Sequence, residues 1–341
     1  MLNQIKSSTM KFKFLMAATL ILAAACNQLQ TVEDEKVIAG SNDRVTVTVN
    51  VNGGVSTRST TVPDGSETAV TDIQLFAFNS DGSIDSYAKG SNSSMDISVT
   101  TGTKDFVALV NCPDLGATVK DKTSLMGTVS LLGNNSAGHF EMIGEAGGKS
   151  VSGKTSLDIT VKRIVSKVVI QKISTDFSSP YLASLPFKVT GIFLSNVVAS
   201  NVYSLDASSF EWVNKSEMNS SHNAKTLTQD SVDAVVNSTT PYSTQHTFYC
   251  YPNPTATDSD SGTWSERYTR LVVQTTLGGT VGYYSIKIPN IGSNKIYTIT
   301  ELKVTRRGSV QPYEDITVAN AQFKIEVSEW ETGKNFGDIT I

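Results

Sequence analysis

The sequence predicts a mainly-β chain, folded as two antiparallel β-sandwich domains with one or two short helices. Many short runs alternate apolar and polar side chains, which is the period of a strand with one buried face. Clusters of Gly, Pro, Asn and Ser separate these runs, as expected of turns between strands. Glu/Lys/Leu-rich helical stretches are scarce. No repeat of about 20–50 residues is visible, which excludes solenoids and propellers.

Composition places the chain among globular proteins and excludes one class of partner. The 341 residues are enough for two ordinary domains. Hydrophobic residues make up 39% of the chain and charged residues 18%, with a formal net charge of −4. A slightly acidic chain offers no electrostatic basis for binding nucleic acid.

Residues 1–26 have the pattern of an export signal. Lys11 and Lys13 precede an apolar run of about a dozen residues, which is too short to span a bilayer as a helix. The run ends in LAAACN, which resembles a bacterial lipobox. We therefore expect a lipoprotein signal peptide ending at a lipidated Cys26, with a plain secretory signal as the alternative. Residues 27–43 are polar and aperiodic, as expected of a tether.

The first predicted strand lies in the stretch RVTVTVNVNGGVSTRS at residues 44–59. Its inward face consists of alternate valines. These are Val45, Val47, Val49 and Val51. A glycine pair ends the strand, and a polar run containing Arg58 follows, where a trypsin-like protease would cut. We interpret residues 27–58 as a tether plus a removable strand.

The residues after Arg58 are predicted to form two domains of short strands. We expect an N-terminal sandwich at residues 59–163 and a C-terminal sandwich at 164–341, with a helix inside 115–132 and a long polar loop at 199–240. Tight turns are expected at Asp81-Gly82 and Thr101-Gly102. The further strands are predicted at residues 71–79, 95–100, 104–111, 140–144, 155–161, 162–173, 187–197, 247–251, 270–276, 280–288, 295–305 and 322–330.

The residues suggest neither catalysis nor a cofactor. His139, His222 and His246 have no carboxylate or second histidine at ligand spacing in the sequence. No known nucleophile, phosphate-binding or zinc motif occurs. Residues 258–266 lack the full ligand set of a calcium loop and are read as a solvated turn, so no metal is expected.

Cysteines and tryptophans leave alternatives open. Cys112 and Cys250 lie in or beside apolar runs and are read as buried free thiols, with a mutual disulfide as the alternative. Trp212, Trp264 and Trp330 are scattered and belong either to the core or to a sugar-stacking surface.

Several segments in this order resemble the fimbrillins, the lipoprotein precursors of type V pili. Besides LAAACN and residues 44–59, the resemblance rests on DFVALVNCP (105–113), VKRIVSKVVI (161–170), IFLSNV (192–197), FYCYPNP (248–254), RLVVQTT (270–276) and IEVSEW (325–330). It spans nearly the whole mature chain. It implies two transthyretin-like sandwiches, display at the outer membrane through lipid, and a contribution to adhesion through a host or bacterial receptor.

The resemblance also implies an assembly mechanism. An arginine-specific protease would cut between Arg58 and Ser59, the first strand would leave with its lipid, and a C-terminal strand of a neighbouring pilin subunit would fill the groove. Arg44 is the competing cut site, but a cut there would leave the strand in place.

The donor strand has two candidates within residues 323–341. One carries Phe323, Ile325 and Val327 on one face, and the other is a tail with Ile339 and Ile341 at period two. A tail folded into its own domain would favour a tip position in the pilus. The alternative functions are a tip or anchor accessory pilin and a permanently lipid-anchored, glycan-binding surface lipoprotein.

Overall fold

Strands dominate the chain, so the predicted mainly-β class is confirmed. The computed structural model describes residues 44–53, 67, 69–219, 221–258 and 264–330, together with the backbone of 335–339. The strands up to residue 163 are β1 Arg44–Gly53, β2 Ile73–Asn79, β3 Ile84–Gly90, β4 Ser94–Thr100, β5 Gly102–Val110, β6 Val129–Leu131, β7 Met142–Val151 and β8 Thr155–Arg163.

The second half of the chain supplies the other strands. They are β9 Ser166–Ile170, β10 Ile173–Thr175, β11 Phe187–Ser195, β12 Val197–Val198, β13 Ser200–Val202, β14 Trp212–Val213, β15 Gln229–Val236, β16 His246–Cys250, β17 Arg270–Leu277, β18 Thr280–Lys287, β19 Lys295–Val304, β20 Ala321–Glu329 and β21 Asn335–Ile339. The helices in the described residues are short: α1 Lys122–Met126, α2 Pro180–Ala183, α3 Lys225–Thr228 and a 3-10 turn at Leu132–Asn134.

Seven strands of the first half form one sheet in the order β3-β2-β5-β7-β8-β1-β4. The sheet nearly closes into a barrel, because its end strands β3 and β4 lie side by side. Asp85 of β3 holds this closure: its carboxylate accepts hydrogen bonds from the backbone N–H of Thr100 (2.8 Å) and from the Thr100 hydroxyl (3.0 Å). The first strand is therefore an interior strand of a strongly curved sheet.

The second half builds a sheet of six strands and a sheet of four. A six-stranded sheet runs β16-β9-β19-β20-β21, with β10 also pairing with β19, and a four-stranded sheet runs β15-β11-β17-β18. Two short ribbons, β12–β14 and β6–β13, complete the set in the described chain, and β6–β13 joins the first half to the second. Most pairs are antiparallel as expected, but β1–β8, β9–β19 and β10–β19 are parallel. Such pairs need long crossover connections, which a strand pattern alone does not reveal.

Two apolar cores meet at β2 and β5. On β2, Leu75 and Ala77 point into a small core enclosed by the seven-stranded sheet, whereas Phe76 and Phe78 point into a larger core. The larger core is continuous with the sheets of the second half. All described residues belong to one compact unit, Lys36–Ile341, and the boundary expected at residue 163 remains a prediction.

The helix predicted inside 115–132 is present but short, since it covers only Lys122–Met126. Asp121 caps α1 by accepting a hydrogen bond from the Ser124 N–H (2.7 Å), and Gly127 ends the helix after one buried leucine, Leu125. Residues 129–131 instead form β6, whose strand pairing supersedes the helical spacing of Val129. The loop expected at 199–240 also contains β15, a strand in which Val232, Ala234 and Val236 alternate with exposed side chains.

Both tight turns of the first half are present. Gly82 (φ +85°) lies between β2 and β3, and Gly102 (φ +123°) begins β5 directly after β4. These φ values belong to glycine-favoured backbone, which explains why the turns could be predicted from the sequence.

Candidate functional site: the first strand and its slot

Strand β1 lies between two neighbours in the seven-stranded sheet. It runs antiparallel to β4, with Val47 opposite Ile97, and parallel to β8, with Val49 opposite Leu157. Both edges of β1 are thus paired through backbone hydrogen bonds. We call the space between β4 and β8 that β1 occupies the slot.

The inward face of β1 is apolar, as the alternation predicts. Val47 and Val49 are fully buried and Val51 is 4% exposed, whereas Val45 is only partly buried. All four valines of the predicted inward face contact the small core, but Val45 is less buried than the other three because it lies at the beginning of the strand. The three buried valines pack in the small core with apolar side chains from other strands of the seven-stranded sheet, namely Ile73, Leu75, Ala77, Ile97, Val99, Phe106, Ala108, Val110, Met142, Ala146, Val151, Leu157, Ile159 and Val161.

The outward face of β1 is held by polar contacts to both neighbours. The Thr48 hydroxyl donates to Asp96 Oδ1 on β4 (2.7 Å). The Asn50 amide nitrogen donates to Asp158 Oδ1 on β8 (3.1 Å), and its oxygen accepts from the Ser94 hydroxyl on β4 (2.8 Å). One side chain of β1, Asn50, therefore bridges both walls of the slot.

Arg44 fixes the beginning of β1. Its guanidinium donates to the Ser98 carbonyl oxygen (2.6 Å) and to the Ser86 hydroxyl (3.2 Å), and it lies 3.9 Å from the Asp85 carboxylate. The same carboxylate pairs with the buried Lys104 ammonium at 3.3 Å. An arginine engaged in this way, inside a strand, is a poor protease site, because cleavage requires an extended, accessible backbone.

The predicted lipidation and processing residues lie outside the described part of the chain. This holds for Cys26 and for both residues of the expected cut, Arg58 and Ser59. The description resumes at Glu67, which is buried. Its carboxylate accepts from the Lys167 ammonium (2.7 Å) and from the Tyr249 hydroxyl (2.7 Å), and its carbonyl oxygen accepts from Arg163 (2.7 Å). The chain is thus anchored to the second half within nine residues after Arg58.

The two donor candidates differ in their pairing. Strand β20 pairs with β19 on one side and β21 on the other; Ile325 is fully buried, Val327 is 9% exposed and Phe323 is partly buried. The predicted alternation of β20 is confirmed. Ile339 is the last residue of β21, which among the described strands lies at the edge of its sheet and pairs with β20 in an irregular register. Ile341 lies outside the described residues.

Trp330, directly after β20, is part of the core. Its ring is 1% exposed and lies 5.5 Å from the Phe140 ring, measured between centroids, with the Arg163 guanidinium 4.5 Å above it. The other two tryptophans, read as scattered, are neighbours: the Trp212 and Trp264 centroids are 5.5 Å apart in an edge-to-face arrangement. Trp212 is 9% exposed, so the pair does not present a flat surface on which a sugar could stack.

The structure gives His246 a carboxylate partner that sequence spacing did not reveal. Its Nδ1 lies 2.6 Å from the Asp230 carboxylate, and its Nε2 lies 2.7 Å from the Tyr242 hydroxyl. Asp230 is on β15 and His246 on β16, so only tertiary structure brings them together. The row of three side chains ties two sheets together; no serine or cysteine nucleophile is part of it.

A buried carboxyl, that of Glu141, lies where the two halves of the chain meet. Glu141 accepts hydrogen bonds from the Ser130 hydroxyl and from the Asn134 amide (3.2 Å), and Ser130 also lies 2.6 Å from the Tyr251 hydroxyl. Burial raises the pKa of Glu141 from its ordinary 4.5 to about 7, and the hydrogen bonds only partly offset this effect.

Both cysteines of the described chain are free and buried, as predicted. Burial raises the pKa of Cys112 far above its ordinary range and that of Cys250 to about 12, so both are thiols at neutral pH.

No cluster of His, Cys, Asp and Glu among the described residues has the arrangement of a metal site. Asp258, in the segment read as a solvated turn, accepts from the buried Arg270 guanidinium at 2.6 Å. No helix within the described ranges has the length and apolar character needed to cross a membrane.

Solved structures that resemble this chain include fimbrial proteins and putative cell adhesion proteins. The chain superimposes on a fimbrilin, FimA, from Porphyromonas gingivalis with a TM-score of 0.61 and 14% identity, over 85% of this chain and 98% of that one. It superimposes on the C-terminally truncated tip fimbrial protein Mfa3 of the same organism with a TM-score of 0.52 and 13% identity, over 84% and 100%. No family model and no curated protein sequence matches. The resemblance seen in the sequence is thus confirmed at the level of the fold, and this chain has the fimbrillin fold.

Proposed function

We propose that the chain is a structural subunit of a cell-surface fimbrium, exported as a lipoprotein and assembled by strand exchange after cleavage at Arg58. The observation that carries the proposal is the position of β1, an interior strand paired on both edges with a valine face in a closed core. The fold shared with a fimbrilin and a tip fimbrial protein supports the same function.

The connectivity of β1 suits removal. After one cut between Gly53 and Glu67, β1 is covalently connected only to the residues before it, because no disulfide links the described residues. Glu67 keeps the downstream side of the cut in place through its buried contacts with Lys167 and Tyr249. Cleavage therefore separates a strand from a body that retains its own anchor.

Loss of β1 would be costly and would favour refilling. Burial of Val47, Val49 and Val51 contributes about 5 kcal/mol, at roughly 1.5–3 kcal/mol per side chain, before backbone pairing is counted. That is comparable with the whole stability of an ordinary domain, about 5–15 kcal/mol. An empty slot would also leave facing edges on β4 and β8, which is the situation that β-strand addition resolves.

Two cut-site variants test the proposal. Treatment of the chain with an arginine-specific protease should produce SDS-resistant ladders, Arg58→Ala should abolish them, and the matched control Arg44→Ala should leave them unchanged. Normal ladders from Arg58→Ala would refute the assigned cut. Loss of ladders from Arg44→Ala alone would also contradict the proposal, because a cut at Arg44 leaves β1 attached to the residues that follow it.

A tip position is the second candidate, and the pairing of β21 with β20 favours it. A tail paired in its own sheet accepts a strand elsewhere without having to donate one. If so, the chain treated alone should form no ladder, but it should cap a ladder of another pilin. Outer-membrane attachment through Cys26 and binding of a surface receptor belong to this proposal in either position.

A further inference from the structure

We propose that the outward walls of the slot select the strand that replaces β1. The accepted partner is an extended pilin segment with aliphatic side chains at alternate positions and a neutral hydrogen-bond donor, Thr, Ser or Asn, at the two positions between them; a segment with acidic side chains there is rejected. The inference rests on the proposed strand exchange and specifies its partner.

The selecting groups are two carboxylates, one on each wall. In the strand register Asp96 of β4 lies opposite Thr48, and Asp158 of β8 lies opposite Asn50. Each accepts a hydrogen bond from the side chain opposite, at 2.7 Å and 3.1 Å. The inward face of the slot thus selects the size and spacing of the apolar side chains of an incoming strand. The outward face distinguishes hydrogen-bond donors from acidic side chains.

A carboxylate is an acceptor with a negative charge, so its preference has a definite sign. A hydroxyl or amide opposite it donates a hydrogen bond, whereas an Asp or Glu places two like charges directly across a strand pair, which destabilises the pairing. The Asn50 position is the more demanding one, because its side chain also accepts from Ser94 on the other wall.

This preference distinguishes the two donor candidates in the chain's own sequence. If Ile325 and Val327 of β20 take two of the three buried valine positions, running in the direction of β1, Glu326 must face Asp96 or Asp158. If Ile339 and Ile341 take the positions of Val47 and Val49, Thr340 faces Asp96. With Ile339 and Ile341 at the positions of Val49 and Val51 instead, Asp338 would face Asp96, so the slot fits the tail pattern in one register and the β20 pattern in neither.

The uncut chain tests the selection with β1 itself as the occupant. Thr48→Asp should lower the folding equilibrium constant about fivefold, and Asp96→Asn in the same chain should restore it. The matched control is Thr46→Asp, because Thr46 also faces outward but lies opposite Ser98. An equal loss from Thr46→Asp and Thr48→Asp, or no recovery with Asp96→Asn, would overturn the inference.

The exchange reaction tests it with an external occupant. The full chain is cut by an arginine-specific protease in the presence of labelled peptides of sequence 45–53, which contain no arginine, and label retained on the protein is measured after gel filtration. The wild-type peptide and its Thr46→Asp form should be retained alike. A peptide with Thr48→Asp and Asn50→Asp should be retained more than tenfold less well, and a chain with Asp96→Asn and Asp158→Asn should restore it.

The outcomes separate the two proposals. Equal retention of all peptides would overturn the selection while strand exchange stands. Retention of none would overturn strand exchange, and with it the selection of an external partner.

Discussion

Glu67 and Lys167 form a buried ion pair, with the carboxylate Oε1 2.7 Å from the ammonium Nζ and both side chains less than 5% exposed. The pair ties the segment after the expected cut to β9. Because Tyr249 donates to the same carboxylate, the charge on Glu67 is satisfied by two partners. Anchoring of this kind lets a chain lose its first strand without releasing the residues that follow.

Removing one member of the Glu67–Lys167 pair should destabilise the protein strongly. Glu67→Ala leaves a buried, uncompensated ammonium, so we expect a loss of about 3–5 kcal/mol in the free energy of unfolding, measured by urea denaturation. Lys303→Ala, which removes an exposed pair with Asp176 (3.6 Å), is the control and should cost less than about 1 kcal/mol. Similar losses from both variants would contradict the anchoring function of Glu67.

The valine face of β1 should show a gradient of sensitivity. Val49→Ala is expected to cost about 2 kcal/mol, because it leaves a cavity in the small core. Val45→Ala should cost under about 1 kcal/mol, since Val45 is only partly buried. Both losses of unfolding free energy are measured by denaturation of the uncut chain. Equal losses would contradict the deeper burial of Val49 in the small core.

Glu141 should make stability depend on pH. Its folded pKa, raised by burial to about 7, lies above the ordinary 4.5, so the native state holds the proton more tightly than the unfolded state does. The stabilisation is complete below about pH 4.5 and is lost as the pH rises through 7, by at most about 3 kcal/mol. Glu141→Gln should flatten the fall in unfolding free energy between pH 5 and pH 8, whereas Glu314→Gln, at an exposed site, should leave it unchanged. A fall of the same size in Glu141→Gln would assign the pH dependence to other groups.

The thiols of the folded chain should be inert. Cys112 and Cys250 are buried with raised pKa values, so a chain with Cys26→Ser should not react with Ellman's reagent at pH 8 until it is unfolded. In guanidinium chloride both thiols should then titrate. Only one reactive thiol in the denatured chain, or none, would point to modification or to a disulfide.

Strands and turns with a strong local pattern can be predicted from the sequence. Helix length and strand pairing cannot, because they depend on contacts between residues that are distant in the sequence. The alternation of β1 and of β20 was readable because one face of each is buried and the other is not. The helix expected inside 115–132 is limited to α1, because Val129 and Leu131 pair with β13, a strand distant in the sequence. The parallel pairing of β1 with β8 could not be read locally either.

The same limit applies to the candidate site. The valines and Arg58 stand out in one short stretch, but the carboxylates opposite Thr48 and Asn50 come from β4 and β8, whose register the sequence does not specify. Glu67 was missed because a lone glutamate in a polar segment has no pattern; only the buried Lys167 and Tyr249 beside it reveal its function. Asp230 likewise cannot be recognised from the sequence as the partner of His246, because only the tertiary structure brings the two side chains together.

The most direct test of the account is the N-terminal residue of the assembled material on the cell surface, determined by Edman degradation or mass spectrometry. Cleavage at Arg58 and loss of β1 predict a free Ser59. A lipid-blocked Cys26 on assembled subunits would contradict the account, because β1 would then still occupy the slot that a neighbouring strand has to fill.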